Sequence, residues 1–266
     1  MKFPKSLPAA HKRLLLRIVE SFSMDHRILG IGAGGSFASD AMDQYSDLDL
    51  VIAIDPEHYD TVMSMRFELV ETINGLVAAV TGEHVGEPRL VIALYEPDLI
   101  HVDFKFVALP DAGKRVDDTK VVWEREQVLS ELLTHSDYAY PCPTPQWVED
   151  RFWIWVHYAA TKIARGEYYE AMEFLSFLRT TVLSPVALAL NGHTPSGVRT
   201  IEQRLPQFAE ALTATIAKPE KASLISAFQH IISLYKNMRS QCDVELNSRA
   251  ERLCVEYFDR IVGADN

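Results

Sequence analysis

The spacing of hydrophobic residues changes once along the chain and divides it into two halves. In the first half, an amphipathic helical stretch precedes several short apolar runs of the kind that form strands. From residue 146 onward the apolar positions recur at helical intervals throughout. This pattern predicts an α+β protein in which a mixed sheet flanked by helices is followed by a C-terminal helical bundle.

The first half alternates between helical and strand patterns. We expect helices over residues 7–24, 36–43 and 57–80, because apolar residues repeat there at three- and four-residue intervals or follow a helix-starting turn. We expect strands over residues 28–31, 47–54, 89–95 and 99–109, with Glu96-Pro97-Asp98 as the turn of a hairpin. After Gly113 the strand pattern stops.

A proline-rich stretch separates the two halves. Pro141, Pro143 and Pro145 alternate with other residues, which makes this segment stiff and extended. We therefore place one domain at residues 1–140 and a second, helical domain at residues 141–266.

The most informative stretch runs from Ile28 to Ile54. Small residues from Gly32 to Ser36 follow an apolar strand, and their backbone N–H groups are able to approach an anion closely. A helix after this turn would add its positive N-terminal end. Asp47 and Asp49 lie two residues apart in the next strand, so both carboxylates face the same way. Such a pair beside a phosphate cradle suits divalent metal ions that carry a nucleoside triphosphate.

These residues resemble a known family. The sequence Gly35-Ser36, a spacer of ten residues and then Asp47-Leu48-Asp49-Leu50 is similar to the signature of the nucleotidyltransferase superfamily. That superfamily includes DNA polymerase β and the antibiotic-modifying adenylyltransferases. It uses a third carboxylate from a later strand, and Asp103 lies at a suitable place. A solvated Asp pair on a surface hairpin is the alternative for the motif alone.

The resemblance implies a two-metal transfer of a nucleoside monophosphate to a hydroxyl of a small molecule, with release of pyrophosphate. The donor would be ATP, which gives AMP, or another nucleoside triphosphate. Asp47 and Asp49 would bridge two Mg²⁺ ions, which lie about 3.5–4 Å apart in such sites. Ser36 and the amides of Gly34, Gly35 and Ser36 would hold the β- and γ-phosphates.

The role of Asp103 stays open between third metal ligand and general base towards the acceptor hydroxyl. Glu83 and Glu87 on the preceding loop are lesser candidates for the base. On a strand, His101 and Lys105 share the face of Asp103. His101 is either a bystander or a catalyst, and Lys105 is either a triphosphate contact or a solvated strand end.

The helical half resembles that of the aminoglycoside- and lincosamide-modifying enzymes, on the segment from Lys162 to Ala171. By this resemblance, residues 1–140 would be the catalytic domain, and residues 141–266 would close over substrate and nucleotide. Lys162 and Arg165 would then contact phosphate oxygens of the nucleotide. A solvated basic edge is the alternative for both residues. The acceptor implied is an aminoglycoside or lincosamide antibiotic.

Composition narrows the choice of partners. The net charge of −11 disfavours nucleic acid as a partner and suits a cationic small substrate. Three cysteines without metal-ligand spacing are typical of reduced thiols in a cytoplasmic protein. We expect no signal peptide and no membrane span, because charges interrupt the apolar runs. The pattern specifies no oligomeric state.

Two other functions fit the same residues. One is a non-catalytic, antitoxin-like regulatory module that binds a nucleotide, although a pure binder has no need of three acids. The other is an adenylyltransferase that modifies a protein hydroxyl. An enclosed, acid-lined pocket beside Asp103 would favour a cationic small molecule, and an open shelf would favour a macromolecule.

Overall fold

A computed structural model describes residues 3–262 of the 266-residue chain. The chain divides into two compact units, Met1–Ala139 and Tyr140–Asn266. The first unit contains a six-stranded sheet, and the second is helical. The fold class predicted from the sequence, α+β with C-terminal helices, is confirmed.

The sheet of the first unit is mixed. Its strands are β1 Ile28–Ala33, β2 Leu48–Ile54, β3 Leu76–Gly82, β4 Glu87–Tyr95, β5 Ile100–Ala108 and β6 Lys120–Glu124. They lie side by side in the order β3-β4-β5-β2-β1-β6. Strands β2 and β5 are parallel, and the other neighbours are antiparallel. The parallel pair therefore brings together two strands that are distant in sequence.

Five helices accompany this sheet. They are α1 Ala9–Ser23, α2 Gly35–Ala38, α3 Tyr59–Ser64, α4 Arg66–Glu71 and α5 Val128–Thr134, with 3-10 turns at Pro56–His58, Glu83–Val85 and Leu109–Gly113. The main core packs α1, α3 and α4 against one sheet face, where Ile18, Ile52 and Phe104 are fully buried. On the opposite face, α5 packs over β1 and β6, and Leu129 belongs to a small buried cluster with Ala53 and Val107 near the ends of β2 and β5.

Three sequence predictions in this unit were wrong. In place of the helix expected over residues 57–80, a 3-10 turn is followed by two short helices, α3 and α4, the second of which ends at Glu71. Gly75, just beyond them, has a left-handed backbone with φ of +91°, which a continuous helix does not allow. Residues beyond it form β3, whose short alternation of valine and alanine also fits a helical period. The helix expected over residues 36–43 spans one turn only. Strand β6 was missed because it has only five residues, with charges at both ends.

The second unit consists of seven α-helices among the described residues. They are α6 Pro145–Ala164, α7 Tyr168–Phe177, α8 Ser184–Leu190, α9 Ile201–Arg204, α10 Pro206–Thr213, α11 Lys221–Arg239 and α12 Ser248–Val262. A π-helical turn, Leu178–Leu183, joins α7 to α8, so that Pro185 lies in the first turn of α8. The core of this unit is separate and includes Phe152, Trp153 and Phe228.

One helical stretch in this unit has the length and apolar composition of a membrane span. It runs from Tyr168 to Leu190, and half of its most apolar window is buried inside the protein. Core helices of globular proteins commonly have the same properties, so the stretch is weak evidence for a membrane span.

Candidate functional site

Two of the predicted acids are neighbours across the parallel strand pair. Asp49 on β2 is in register with Asp103 on β5. Side chains that are directly opposite in a sheet point to the same face, and neighbouring strands lie about 4.8 Å apart. Both side chains are partly buried, with 24% of the Asp103 side chain exposed. The fold thus places two carboxylates side by side near the start of β2.

The glycine turn folds directly onto Asp49. Gly35 has a φ of +55°, and a Cβ atom at this position would lie only 2.3 Å from Asp49 Oδ2. Glycine is therefore required both by the backbone conformation and by the close approach of the carboxylate. Gly34 N–H donates a hydrogen bond to the backbone oxygen of Asp49 over 2.9 Å. The amide of Gly34 is thus already used within the protein, which differs from the phosphate contact expected for it.

Ser36 carries an unsatisfied polar atom at this turn. Its Oγ is buried, and the described residues provide no hydrogen-bond partner for it. A buried hydroxyl without a partner costs about 1–3 kcal/mol, so such atoms usually have a reason to be present. The N–H groups at the start of α2 also lack partners within the helix. A phosphate oxygen would satisfy both kinds of donor.

Asp47 lies immediately before β2 and is half-buried. Among residues 3–262, no group of three or more His, Cys, Asp or Glu side chains is arranged to hold a metal ion by itself. Mg²⁺ is usually bound by one or two carboxylates together with substrate phosphates and water. The residues therefore fit ions that bind together with the triphosphate, and not a preformed site made of protein ligands alone.

The neighbours of Asp103 on β5 have different partners. His101 Nε2 lies 2.7 Å from Asp103 Oδ1, so His101 contacts the candidate site directly. Lys105 Nζ lies 3.0 Å from Glu87 Oε2, which is also bonded to Arg89. The hydrogen bond from Arg89 and the ion pair with Lys105 lower the pKa of Glu87 from 4.5 to about 2. Glu87 is therefore a poor general base, and Lys105 already has an anionic partner.

Glu83, the other lesser candidate for a base, accepts a hydrogen bond from Thr81 Oγ1. Both residues belong to the end of β3 and the 3-10 turn that follows it.

Lys162 and Arg165 lie at the end of α6 in the second unit. Lys162 Nζ donates to Glu167 Oε2 over 2.6 Å, and Arg165 lies 3.6 Å from the same carboxylate. This hydrogen bond raises the pKa of Lys162. Glu167 is thus the anionic partner of Lys162 and Arg165, a position that a phosphate of the nucleotide would have to take.

Residues that brace the loop before Asp47 were not anticipated. Ser6 N–H donates to Asp40 Oδ1 over 2.9 Å, and Ser6 Oγ accepts from Met42 N–H over 3.1 Å. His11 Nε2 lies 2.7 Å from the backbone oxygen of Ser46. The N-terminal segment therefore holds the loop that leads into the acids. No motif marks these contacts, because they join residues about 35 positions apart.

Comparison with known proteins gives two findings. Residues 13–131 match the family model described as "Nucleotidyltransferase domain". No curated protein matches the chain.

Two solved structures resemble the chain at low identity. One is an aminoglycoside 6-adenyltransferase from Bacillus subtilis, with 15% identity and a TM-score of 0.43 over 94% of this chain and 97% of the other. The second is a nucleotidyltransferase-like protein from Exiguobacterium sibiricum, with 13% identity and a TM-score of 0.39 over 85% and 74% of the two chains. Similarities this low support no conclusion about substrate. The family match, however, covers the glycine turn and all three aspartates, so this part of the first unit is similar to a nucleotidyltransferase domain.

Proposed function

We propose that this protein is a metal-dependent nucleotidyltransferase that moves AMP from ATP to a hydroxyl of a small molecule and releases pyrophosphate. The observation that carries the proposal is the register of Asp49 with Asp103 beside a glycine turn that closes onto Asp49. The match of residues 13–131 to the nucleotidyltransferase domain supports transfer of a nucleotidyl group in general.

The glycine turn would hold the triphosphate. Ser36 Oγ, which is buried and has no partner in the described part of the chain, would donate a hydrogen bond to a phosphate oxygen. The amides of Gly35 and Ser36 lie at the start of α2 and would donate in the same direction. Gly34 has a structural role, because its N–H fixes the turn to the backbone of Asp49.

Asp47, Asp49 and Asp103 would hold Mg²⁺ together with the triphosphate. When bound, Mg²⁺ supplies positive charge that offsets the charge of the phosphates and of the leaving pyrophosphate. Asp49 is oriented by the turn that packs against it, so it needs little rearrangement to bind an ion. Asp103 lies next to it and would orient the acceptor hydroxyl or accept its proton.

His101 would act on the acceptor side of the site. Its Nε2 is 2.7 Å from Asp103 Oδ1, while 44% of its side chain remains exposed. The ring therefore fixes one oxygen of Asp103 and leaves the other to a ligand. In this arrangement, His101 is a positioning residue for Asp103.

The acceptor in this proposal is a small molecule that carries several hydrogen-bond donors, with aminoglycoside and lincosamide antibiotics as the first candidates. The net charge of −11 favours a cationic acceptor over nucleic acid. We also propose a cytoplasmic location, since the three cysteines, all within residues 3–262, are free thiols. Lys162 would contact the nucleotide only if it exchanged Glu167 for phosphate.

The proposal is tested by measuring pyrophosphate release from ATP and Mg²⁺ across a panel of aminoglycosides and lincosamides. The Asp49→Asn variant serves as the inactive comparison, because it keeps the side-chain size and removes the charge. Release that requires one acceptor and disappears in the variant is the expected result. Nucleotide binding without release on any small molecule or protein acceptor would favour the regulatory module. Absence of any triphosphate binding would refute the catalytic function.

A further inference from the structure

Of the three acids in the candidate site, Asp47 alone precedes the sheet. Asp49 and Asp103 are in register within the parallel ladder of β2 and β5, and this ladder begins at Leu48. Asp47 ends the loop of residues 39–47, which joins α2 to β2. The orientation of the Asp47 backbone therefore depends on what holds this loop in place.

The end of the loop is a compact turn. Tyr45 N–H and Ser46 Oγ donate hydrogen bonds to Asp43 Oδ1 over 2.9 and 3.1 Å. Ser46 N–H donates to the backbone oxygen of Asp43 over 3.2 Å. We call residues 43–46 the Asp43 turn. Because these bonds join residues within the turn, they fix its shape but not its position in the domain.

His11 attaches the Asp43 turn to α1. Its Nε2 lies 2.7 Å from the backbone oxygen of Ser46, and since a carbonyl oxygen only accepts, Nε2 donates this bond. The oxygen belongs to the peptide group that joins Ser46 to Asp47, and a peptide group is planar. Helix α1 is itself anchored in the core by Ile18 and Phe22, which are fully buried. His11 therefore fixes the orientation of the peptide plane from which Asp47 extends.

The burial of His11 costs stability. The residue is only 3% exposed, and its Nδ1 is buried with no partner among residues 3–262. His11 shares a helix face with the buried Leu14, Leu15 and Ile18, so a leucine would suit this position on α1. A side chain that costs stability and makes one specific bond is typical of a functional position.

The N-terminal segment also holds the start of the loop. Ser6 N–H donates to Asp40 Oδ1 over 2.9 Å, and Met42 N–H donates to Ser6 Oγ over 3.1 Å. Asp40 has a left-handed backbone with φ of +53°, a conformation that needs support from its surroundings. Contacts from residues 6–11 thus restrain both ends of the loop.

We infer that His11 is a positioning residue for Asp47. Its bond to the backbone oxygen of Ser46 orients the acid and thereby sets the affinity of the site for a divalent ion with a triphosphate. The inference rests on the proposed function. It adds a residue outside the family match, which begins at residue 13.

Three variants of the full chain separate positioning from packing. His11→Leu removes the donor and leaves an apolar side chain, whereas His11→Gln keeps a donor near the position of Nε2. Ser21→Ala is the matched control, because it removes the 2.6 Å bond between the last turn of α1 and Thr72. The melting temperature is measured for each variant, and we expect all of them to be folded.

The first measurement is Mn²⁺ binding in the presence of a non-hydrolysable ATP analogue, followed by electron paramagnetic resonance. His11→Leu should weaken Mn²⁺ binding about tenfold or more, the effect usual for residues that orient metal ligands. His11→Gln should recover most of this loss, and Ser21→Ala should bind as the native protein does. The second measurement is hydrogen exchange without ligand, in which the amides of Tyr45 and Ser46 should exchange about fivefold faster in His11→Leu, because one hydrogen bond to the turn is lost.

Native-like Mn²⁺ binding in His11→Leu would overturn the inference. So would equal losses in His11→Leu and His11→Gln, or in His11→Leu and Ser21→Ala. If the native protein binds Mn²⁺ with the analogue but exchange in the Asp43 turn does not depend on His11, the inference fails and the proposed function stands. If the native protein binds no Mn²⁺ with the analogue, the proposed function fails, and the role of His11 in the reaction fails with it.

Discussion

Two carboxylate sites in this protein differ in how completely their polar groups are hydrogen-bonded. Glu149 on α6 is fully buried, and both of its oxygens have donors, from Tyr235, Trp153, Arg239 and the backbone of Asn247. Asp49 and Asp103 are only partly buried, and residues 3–262 provide no partner for the Ser36 hydroxyl of the adjacent turn. A complete network stabilises a fold, whereas donors without partners beside acids indicate a site that is completed by a ligand.

The folded protein also determines the charge state of Glu149. Burial alone would raise the pKa of Glu149, but the hydrogen bonds from Tyr235 and its other partners outweigh burial and lower this pKa. The charged form of Glu149 is thus stabilised by the folded protein itself. In the candidate site, we expect metal ions and phosphate to provide this stabilisation. Substitution of Glu149 should therefore reduce stability, whereas substitution of Asp49 should reduce activity.

The largest effect is expected for Asp49→Asn. Loss of the charge removes several kcal/mol of metal and phosphate stabilisation, so pyrophosphate release should fall by about a thousandfold or more. The melting temperature should stay within a few degrees of the native value, because asparagine keeps the size of this partly buried side chain. Steady-state kinetics and calorimetry on the same preparation measure both quantities. Full activity in the variant would remove Asp49 from the mechanism.

The second effect concerns Gly35→Ala. The new Cβ would lie 2.3 Å from Asp49 Oδ2 on a backbone with φ of +55°, so the carboxylate must move. We expect activity to fall about a hundredfold, because misplacement by 1 Å is costly in catalysis. Gly86→Ala is the matched control, since Gly86 has a φ of +77° and no atom within 4 Å of its Cβ position. Equal activity loss in both variants would show that backbone strain alone is responsible.

The third effect is a loss of stability in Glu149→Gln. Removal of the charge leaves Arg239 partly uncompensated in the core, although Glu251 still pairs with it at 2.9 Å. The free energy of unfolding of the second unit should fall by about 3 kcal/mol. Urea denaturation monitored by tryptophan fluorescence measures it, because Trp153 donates to Glu149. An unchanged midpoint would contradict the structural role that we assign to this acid.

The smallest effect is the acid sensitivity contributed by Glu87. Its pKa is lowered from 4.5 to about 2, so its ion pairs stabilise the fold fully above pH 4.5 and are lost as the pH falls towards 2. The side chain is partly exposed, which keeps this contribution small. Relative to the native protein, Glu87→Gln should lose stability above pH 4.5 and approach it in acid. A difference that does not change with pH would contradict the assignment.

Local patterns were sufficient to predict the elements around the site. A strand, a turn of small residues and a second strand opening with two acids were all recognised, because each is specified by residues close together in sequence. Asp103 was placed by resemblance, and the parallel pairing of β2 with β5 shows how it reaches Asp49. The close approach of Gly35 to Asp49 could not be predicted from the sequence, because it depends on the angle between the turn after β1 and strand β2.

Errors arose where local patterns were ambiguous. Residues 76–82 contain valine and alanine at spacings that fit a strand or a helix, and only their pairing with β4 decides for the strand. Strand β6 is too short for a periodic signal, yet it completes the sheet beside β1. The brace from Ser6 and His11 connects residues separated by 34–36 positions, so no window on the sequence reveals it.

The central claim, that Asp49 and its neighbours hold metal ions together with a triphosphate, is tested most directly by titrating Mn²⁺ and following its electron paramagnetic resonance signal. The titration is done with and without a non-hydrolysable ATP analogue, on native protein and on Asp49→Asn. We predict that native protein binds Mn²⁺ tightly only when the analogue is present, because the described residues form no metal site of three protein ligands. The variant should show only the binding of Mn²⁺ to the free analogue. Identical titrations for the two proteins would contradict the claim.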